Sequence, residues 1–222
     1  MSNHPKIIQI VTGAYEVNTY IVSCPETKEC VIIDPGGDAE KILKILWDNA
    51  FQAKLILNTH GHADHILANM ELKKVLDIPV SMHKEDLLYF AQPGIRKISE
   101  KEVGLTAPGT ADIPLKDSEI INVGTLEVKV VHTPGHTPGS VCFLVDGNLF
   151  TGDTLFVGDV GRTDLTGGSL NTLLQSIKKK ILVLPKETTV WPGHNYGETA
   201  TSTLAWEMEE NPYIMDFILA EE

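Results

Sequence analysis

Four residues with metal-ligand chemistry fall within six positions of the stretch NTHGHADH: His60, His62, Asp64 and His65. The residues before it, KLIL, are apolar. A folded core has no use for three imidazoles and a carboxylate at the end of a buried strand. Imidazole together with carboxylate suits zinc, and also iron, manganese and nickel. His60 and His62 stand two apart in a loop that leaves a strand, so they can converge on one ion. Asp64 and His65 follow at the start of a predicted helix and can turn toward a second. The pattern recurs at His136 in HTPGHTPGS, Asp153 in FTGD and His194 in WPGHN. Each follows an apolar strand and lies in or beside a glycine-containing turn, where the backbone can approach closely. Asp153 has two oxygens and can bridge. The expected arrangement is His60, His62, His136 and Asp153 around one divalent ion, and Asp64, His65, His194 and Asp153 around another. Zinc is the first expectation and iron the alternative. His132 is close enough to His136 to support a ligand from behind. His4, near the terminus, and His83, at the start of a predicted helix, read as structural.

The elements that must position these residues alternate along the chain. KIIQIVTG, NTYIVSC, ECVIIDPGG, AKLILNTH and IPVSMH read as strands. DAEKILKILWDNA, with Asp38 as N-cap, ADHILANMELKKVLD and KEDLLYFA read as helices. Residues 92–114 have weak periodicity with several Gly and Pro, and predict an irregular loop that walls a substrate pocket. Beyond it TLEVKVVH is a strand, and SVCFLVDGNLFTGD a hairpin turning at Asp146-Gly147. GGSLNTLLQSIKKKIL is a helix capped by Ser169, TTVWPGHN a strand, and TATSTLAWEMEENPYI a closing helix. Each half places polar residues just past a strand end, which predicts a layered α/β domain with its site along one sheet edge.

The 222 residues fit a single domain spanning 1–222, with a short helical tail at about 199–222. A net charge of −12 argues against a nucleic-acid partner. No apolar run has bilayer-spanning length and no signal-peptide pattern opens the chain, so a cytoplasmic protein without a membrane partner is expected. Three cysteines do not make a disulfide framework. Cys142 reads as a core residue, and Cys24 and Cys30, placed to face each other across a hairpin, as free thiols in a reducing compartment.

THGHADH, HTPGHTPGS, FTGD and WPGHN, in that order, resemble the metallo-β-lactamase superfamily. The resemblance covers nearly the whole chain. It implies a four-layer αββα sandwich with the metals at one edge of its two sheets, and it agrees with the ligand set above. It also implies that Asp34 of VIIDPGG stands behind the metal histidines; otherwise Asp34 is a turn residue before Pro35. Two metals sharing a carboxylate can supply hydroxide near neutral pH, with Asp64 orienting the attacking water or accepting its proton. No G-x-S-x-G elbow offers a serine nucleophile instead.

Within the superfamily, FTGDTLFVGDVGRTD and STLAWEMEENPY are most similar to glyoxalase II-like proteins, that is, hydroxyacylglutathione hydrolase-like thioesterases acting on a small thioester. A thiolate leaves without strong acid assistance. Two departures separate the chain from that group. GRTD stands where a Lys and an aromatic contact glutathione, and only 28 residues follow His194. Arg162 can replace the lysine charge and bind a substrate carboxylate, or it can pair with Asp159 or Asp164. GRTD also resembles persulfide dioxygenases, which use one iron at the positions of His60, His136 and Asp153. A non-catalytic metal-binding module is the remaining alternative.

Overall fold

The structure, a computed structural model, describes residues 4–107, 109 and 111–220. Its first sheet is formed in order by β1 (Lys6–Thr12), β2 (Val17–Ser23), β3 (Glu29–Ile33), β4 (Gln52–Leu57), β5 (Val80–His83) and β6 (Ile113–Leu115). The second takes its strands from the other half. They are β7 (Ile120–Val123), β8 (Leu126–His132), β9 (Val141–Val145), β10 (Asn148–Gly152), β13 (Thr189–Pro192) and β14 (Ser202–Thr203), ordered β14-β13-β10-β9-β8-β7. A small hairpin, β11 (Leu155–Phe156) with β12 (Asp159–Val160), stands apart.

Side-chain alternation explains the stacking. On β3, Val31 and Ile33 enter the core between the sheets, and Cys30 and Ile32 enter a second core on the outer face. That outer core is closed by Ile42, Leu43 and Leu46 of α1 (Ala39–Asp48) and Leu72 of α3 (Asn69–Leu76). On β8, Leu126, Val128 and Val130 meet the first sheet. Cys142 and Leu149 face a third core with Leu173, Ile177 and Ile214 from the C-terminal helices. Helix, sheet, sheet, helix is the expected αββα order. Cys24 and Cys30 lie in different cores and are free thiols, and Cys142 is a core residue as expected.

Several local expectations are refined. The helix over ADHILANMELKKVLD is two pieces, α2 (Ala63–Ile66) and α3, because the Ala68 amide donates to Pro35 O and Asn69 pairs with Asn58. Asp38 does precede α1, but its carboxylate accepts the Gly13 amide instead of capping the helix. Ser169 caps α6 (Leu170–Ser176) as expected, accepting the Thr172 amide. Asp146 and Gly147 both have positive φ, as the hairpin turn requires. The 92–114 stretch is not a plain loop: Pro93–Val103 is helix α5, after α4 (Lys84–Phe90). The tail opens with β14 before α7 (Leu204–Glu210), so its first residues extend the second sheet. Among the described residues no helix is long and apolar enough to cross a membrane.

The sheets meet at one edge. The Asn18 amide donates to Gly193 O, the Tyr20 hydroxyl to Pro192 O and the Val141 amide to Thr59 O. Those bonds tie β2 to the end of β13 and β9 to the end of β4, at the edge where the candidate residues stand.

Candidate metal centre

His60 and His62 leave the end of β4, and Asp64 and His65 begin α2. His136 follows β8, Asp153 follows β10 and His194 follows β13. All seven come together. His60, His62 and His136 form one group, and Asp64, His65 and His194 another, each with ligand atoms within 4.8 Å of one another. The Asp153 carboxylate lies between them. Its Oδ1 is 3.3 Å from His65 Nε2, and its Oδ2 is 3.7 Å from both His136 Nε2 and His194 Nε2. Gly193 leaves room for this carboxylate, since a Cβ there would overlap Asp153 Oδ1.

Hydrogen bonds on the outer side of four of the five rings decide which nitrogen faces inward. His136 Nδ1 donates to Arg162 O at 2.8 Å and His194 Nδ1 to Tyr15 O at 3.0 Å. His65 Nδ1 donates to Asp34 Oδ2 at 3.0 Å. Asp34 also accepts the Thr59 hydroxyl, at 2.5 Å, and the Thr59 amide, at 2.7 Å. Thr59 Oγ1 can then accept only from His60 Nδ1, 3.1 Å away. One buried carboxylate thus orients a histidine in each group, directly for His65 and through a hydroxyl for His60.

The inner nitrogens are left facing one another. His62 Nδ1 is 2.9 Å from His136 Nε2, and His65 Nε2 is 3.2 Å from His194 Nε2. His60 Nε2, His62 Nε2 and Asp153 Oδ1 are buried without a hydrogen-bond partner. Such atoms cost free energy unless something fills the space between them. Converging lone pairs and an orphaned carboxylate oxygen are what divalent cations neutralise, so the residues present fit metal ions. The electrostatics agree. Burial, then the neighbouring His65 and His136, holds His60 well below its ordinary pKa, and burial with His136 pushes His62 down to about 3. Burial opposes charge on His65, but Asp153 and Asp64 outweigh it and lift His65 well above its ordinary value. Burial alone would raise Asp153; His65 and His194 instead hold it well below the carboxylate range.

A cavity of about 180 Å³ opens over both groups, walled by Tyr15, Glu102, Val103, Arg162, Leu165 and Tyr196. The C-terminal end of α5 thus reaches the pocket wall, as expected of the 92–114 stretch. The Tyr15 hydroxyl donates to Val103 O and closes one side. The Tyr196 ring stacks on His194 at 5.1 Å. Arg162 lines the cavity but is engaged by Asp164 through two bonds of 2.7 Å, and Asp159 does not share it. His132 does not reach the cluster: its ring stacks on His83 at 4.0 Å, and Nε2 donates to Pro138 O. His83 caps α4, accepting the Glu85 amide, and His4 bonds Asp146 at the surface. Sequence reasoning missed Thr59, Tyr15 and Tyr196. Tyr196 was within reach, two residues past His194, whereas Tyr15 sits in a turn without a pattern.

The model of the metallo-beta-lactamase superfamily matches residues 12–194. The chain is 37% identical over 210 residues to the probable metallo-hydrolase YqgX of Bacillus subtilis, covering 93% of this chain and 96% of that one. It is 32% identical over 214 residues to the hydroxyacylglutathione hydrolase GloC of Haemophilus influenzae, covering 92% and 96%. It is 30% identical over 197 residues to the human mitochondrial persulfide dioxygenase ETHE1, covering 87% and 70%. Among solved structures, TTHA1623 in a di-iron-bound form superposes with a TM-score of 0.79 at 36% identity, over 93% of this chain and 99% of that one.

Proposed function

The chain belongs to the metallo-β-lactamase superfamily, and from that premise we propose a two-zinc thioesterase that hydrolyses a small thioester. The observation that carries the reading is the pair of ligand groups with one carboxylate, Asp153, between them. His60, His62, His136 and Asp153 would hold one ion, and Asp64, His65, His194 and Asp153 the other. When bound, the two ions would lower the pKa of a bound water and polarise the attacked carbonyl.

The chain's own residues supply the rest. Asp64 borders the cavity, and its carboxylate orients the attacking water or takes its proton. Burial would raise its pKa, but His65 and His194 hold it down, so it remains an acceptor at neutral pH. Asp34 fixes the rings of His65 and His60. Val103, Leu165, Tyr15 and Tyr196 give the cavity surfaces against which an acyl group can pack. Arg162 can release Asp164 and bind a substrate carboxylate, because exposed ion pairs are weak. A thiolate needs no general acid to depart. The reading takes residues 1–222 as one domain, acting in the cytoplasm.

A second reading is favoured by GRTD at 161–164 and by the likeness to a persulfide dioxygenase. It uses one iron at His60, His136 and Asp153. The test is to purify the chain, count its metals and offer it S-lactoylglutathione, a neutral thioester and glutathione persulfide. Thioester turnover with zinc bound supports the hydrolase. One tightly bound iron with oxygen uptake on the persulfide overturns it.

A further inference from the structure

We propose that Asp86 is the positioning residue that sets the first ligand group, by clamping the His60–His62 loop to the His136 loop. The proposal rests on the two-ion reading above. Asp86 stands in the first turn of α4 and is fully buried. An acid there ordinarily serves the amides of its own helix. This one serves none of them. Its Oδ2 accepts the Gly61 amide at 2.8 Å and the Thr137 hydroxyl at 2.7 Å, and its Oδ1 accepts the Gly139 amide at 2.6 Å.

Those three donors are the reason for the inference. Gly61 lies between His60 and His62, Thr137 follows His136, and Gly139 closes the same turn. One carboxylate thus holds both loops that supply the first group, one from each sheet. The packing is tight: a Cβ on Gly139 would stand 2.7 Å from Asp86 Cβ and overlap its backbone nitrogen. The support continues below, where His83 caps α4 and stacks on His132, which bonds Pro138 O. The second group has no bond to Asp86.

The residue type matters. No Lys or Arg accompanies Asp86 among its bonds, so burying it is costly unless its lone pairs are filled. A carboxylate is acceptor-only and can take all three donors at once. An asparagine cannot, because its amide would turn a donor toward one of them. Asp86→Asn should therefore keep the volume and lose the clamp. The spacing of His62 Nδ1 and His136 Nε2, now 2.9 Å, should then cease to be fixed.

The experiment has two readouts. Cobalt(II) affinity is titrated with and without Asp86→Asn in two backgrounds: His194→Ala, which keeps the first group intact, and His136→Ala, which keeps the second. The expected loss is about 10- to 100-fold at the first group, the range for residues that orient metal ligands, and less than about threefold at the second. Amide exchange on metal-free protein should accelerate at Gly61 and Gly139 and stay unchanged at Ile42 and Leu43 of α1. Thr137→Val, which removes one donor and leaves Asp86 in place, should move both readouts the same way by a smaller factor. It serves as the test if Asp86→Asn does not fold. Ile177→Val, in the third core, controls for general destabilisation. Unchanged affinity and exchange, or equal losses at both groups matched by Ile177→Val, would overturn the proposal. If the wild-type chain binds no cobalt while the exchange change is seen, the two-ion reading fails and the clamp stands.

Discussion

The two ligand groups are built from the same parts and anchored differently. His60, His62 and His136 are three imidazoles pressed together, with buried nitrogens that have no partner. Asp64, His65 and His194 include a carboxylate of their own, and His65 is bonded to a second one, Asp34. The first group has no carboxylate among its three members and is held by a hydroxyl, the Arg162 carbonyl and the loop contacts at Asp86. Burial and its histidine neighbours hold His60 well below its ordinary pKa, whereas at His65 burial is outweighed by Asp153 and Asp64. The first group is therefore an electron-rich pocket for a cation. The second carries its own carboxylate, and both groups face the cavity, the first through His62 and His136 and the second through Asp64 and His194.

Three substitutions probe that difference, in order of expected effect. Asp153→Ala removes the group between the two sites and should lower turnover by at least about 100-fold while reducing metal content. Unchanged metal content in the purified variant would refute the bridging role. Asp34→Ala comes next. It frees His65 and His60 together, so affinity at both groups should fall by about 10- to 100-fold. It also leaves the Thr59 amide buried without an acceptor, a stability loss of about 1–3 kcal/mol in a denaturant titration. A loss confined to the second group would show that the link through Thr59 does not hold His60. Arg162→Ala has the smallest effect: KM for a carboxylate-bearing thioester should rise by a few fold while kcat and metal content stay level. An equal rise for a neutral thioester would show that Arg162 does not read charge.

Much of this was legible in the residues. The strand ends announce themselves because apolar runs stop abruptly at NTHGHADH, HTPGH, FTGD and WPGHN. A layered α/β domain follows from strands such as β3, buried on both faces, and the αββα order is what the family resemblance implies. Helix α5 is hidden in the sequence because its boundary residues are also loop signals. Pro93 stands at its first turn and Gly104, at φ 77°, ends it in the left-handed region. The side-chain cap at Asp38 fails because its carboxylate bonds a distant amide, a tertiary choice that spacing does not encode. Asp86 was hidden for the same reason: in KEDLLYF it is an ordinary acid at a helix start, and only the fold brings Gly61 and Gly139 to it. His132 illustrates the converse, since nearness in sequence to His136 places it against His83 and not against the ligands.

The central claim is that two ions share one site, and counting metals tests it most directly. The wild-type chain, His136→Ala and His194→Ala are purified identically, loaded with zinc and measured by elemental analysis. The account predicts two zinc ions in the wild type and one in each variant. One ion in the wild type, retained in full by His194→Ala, would contradict it.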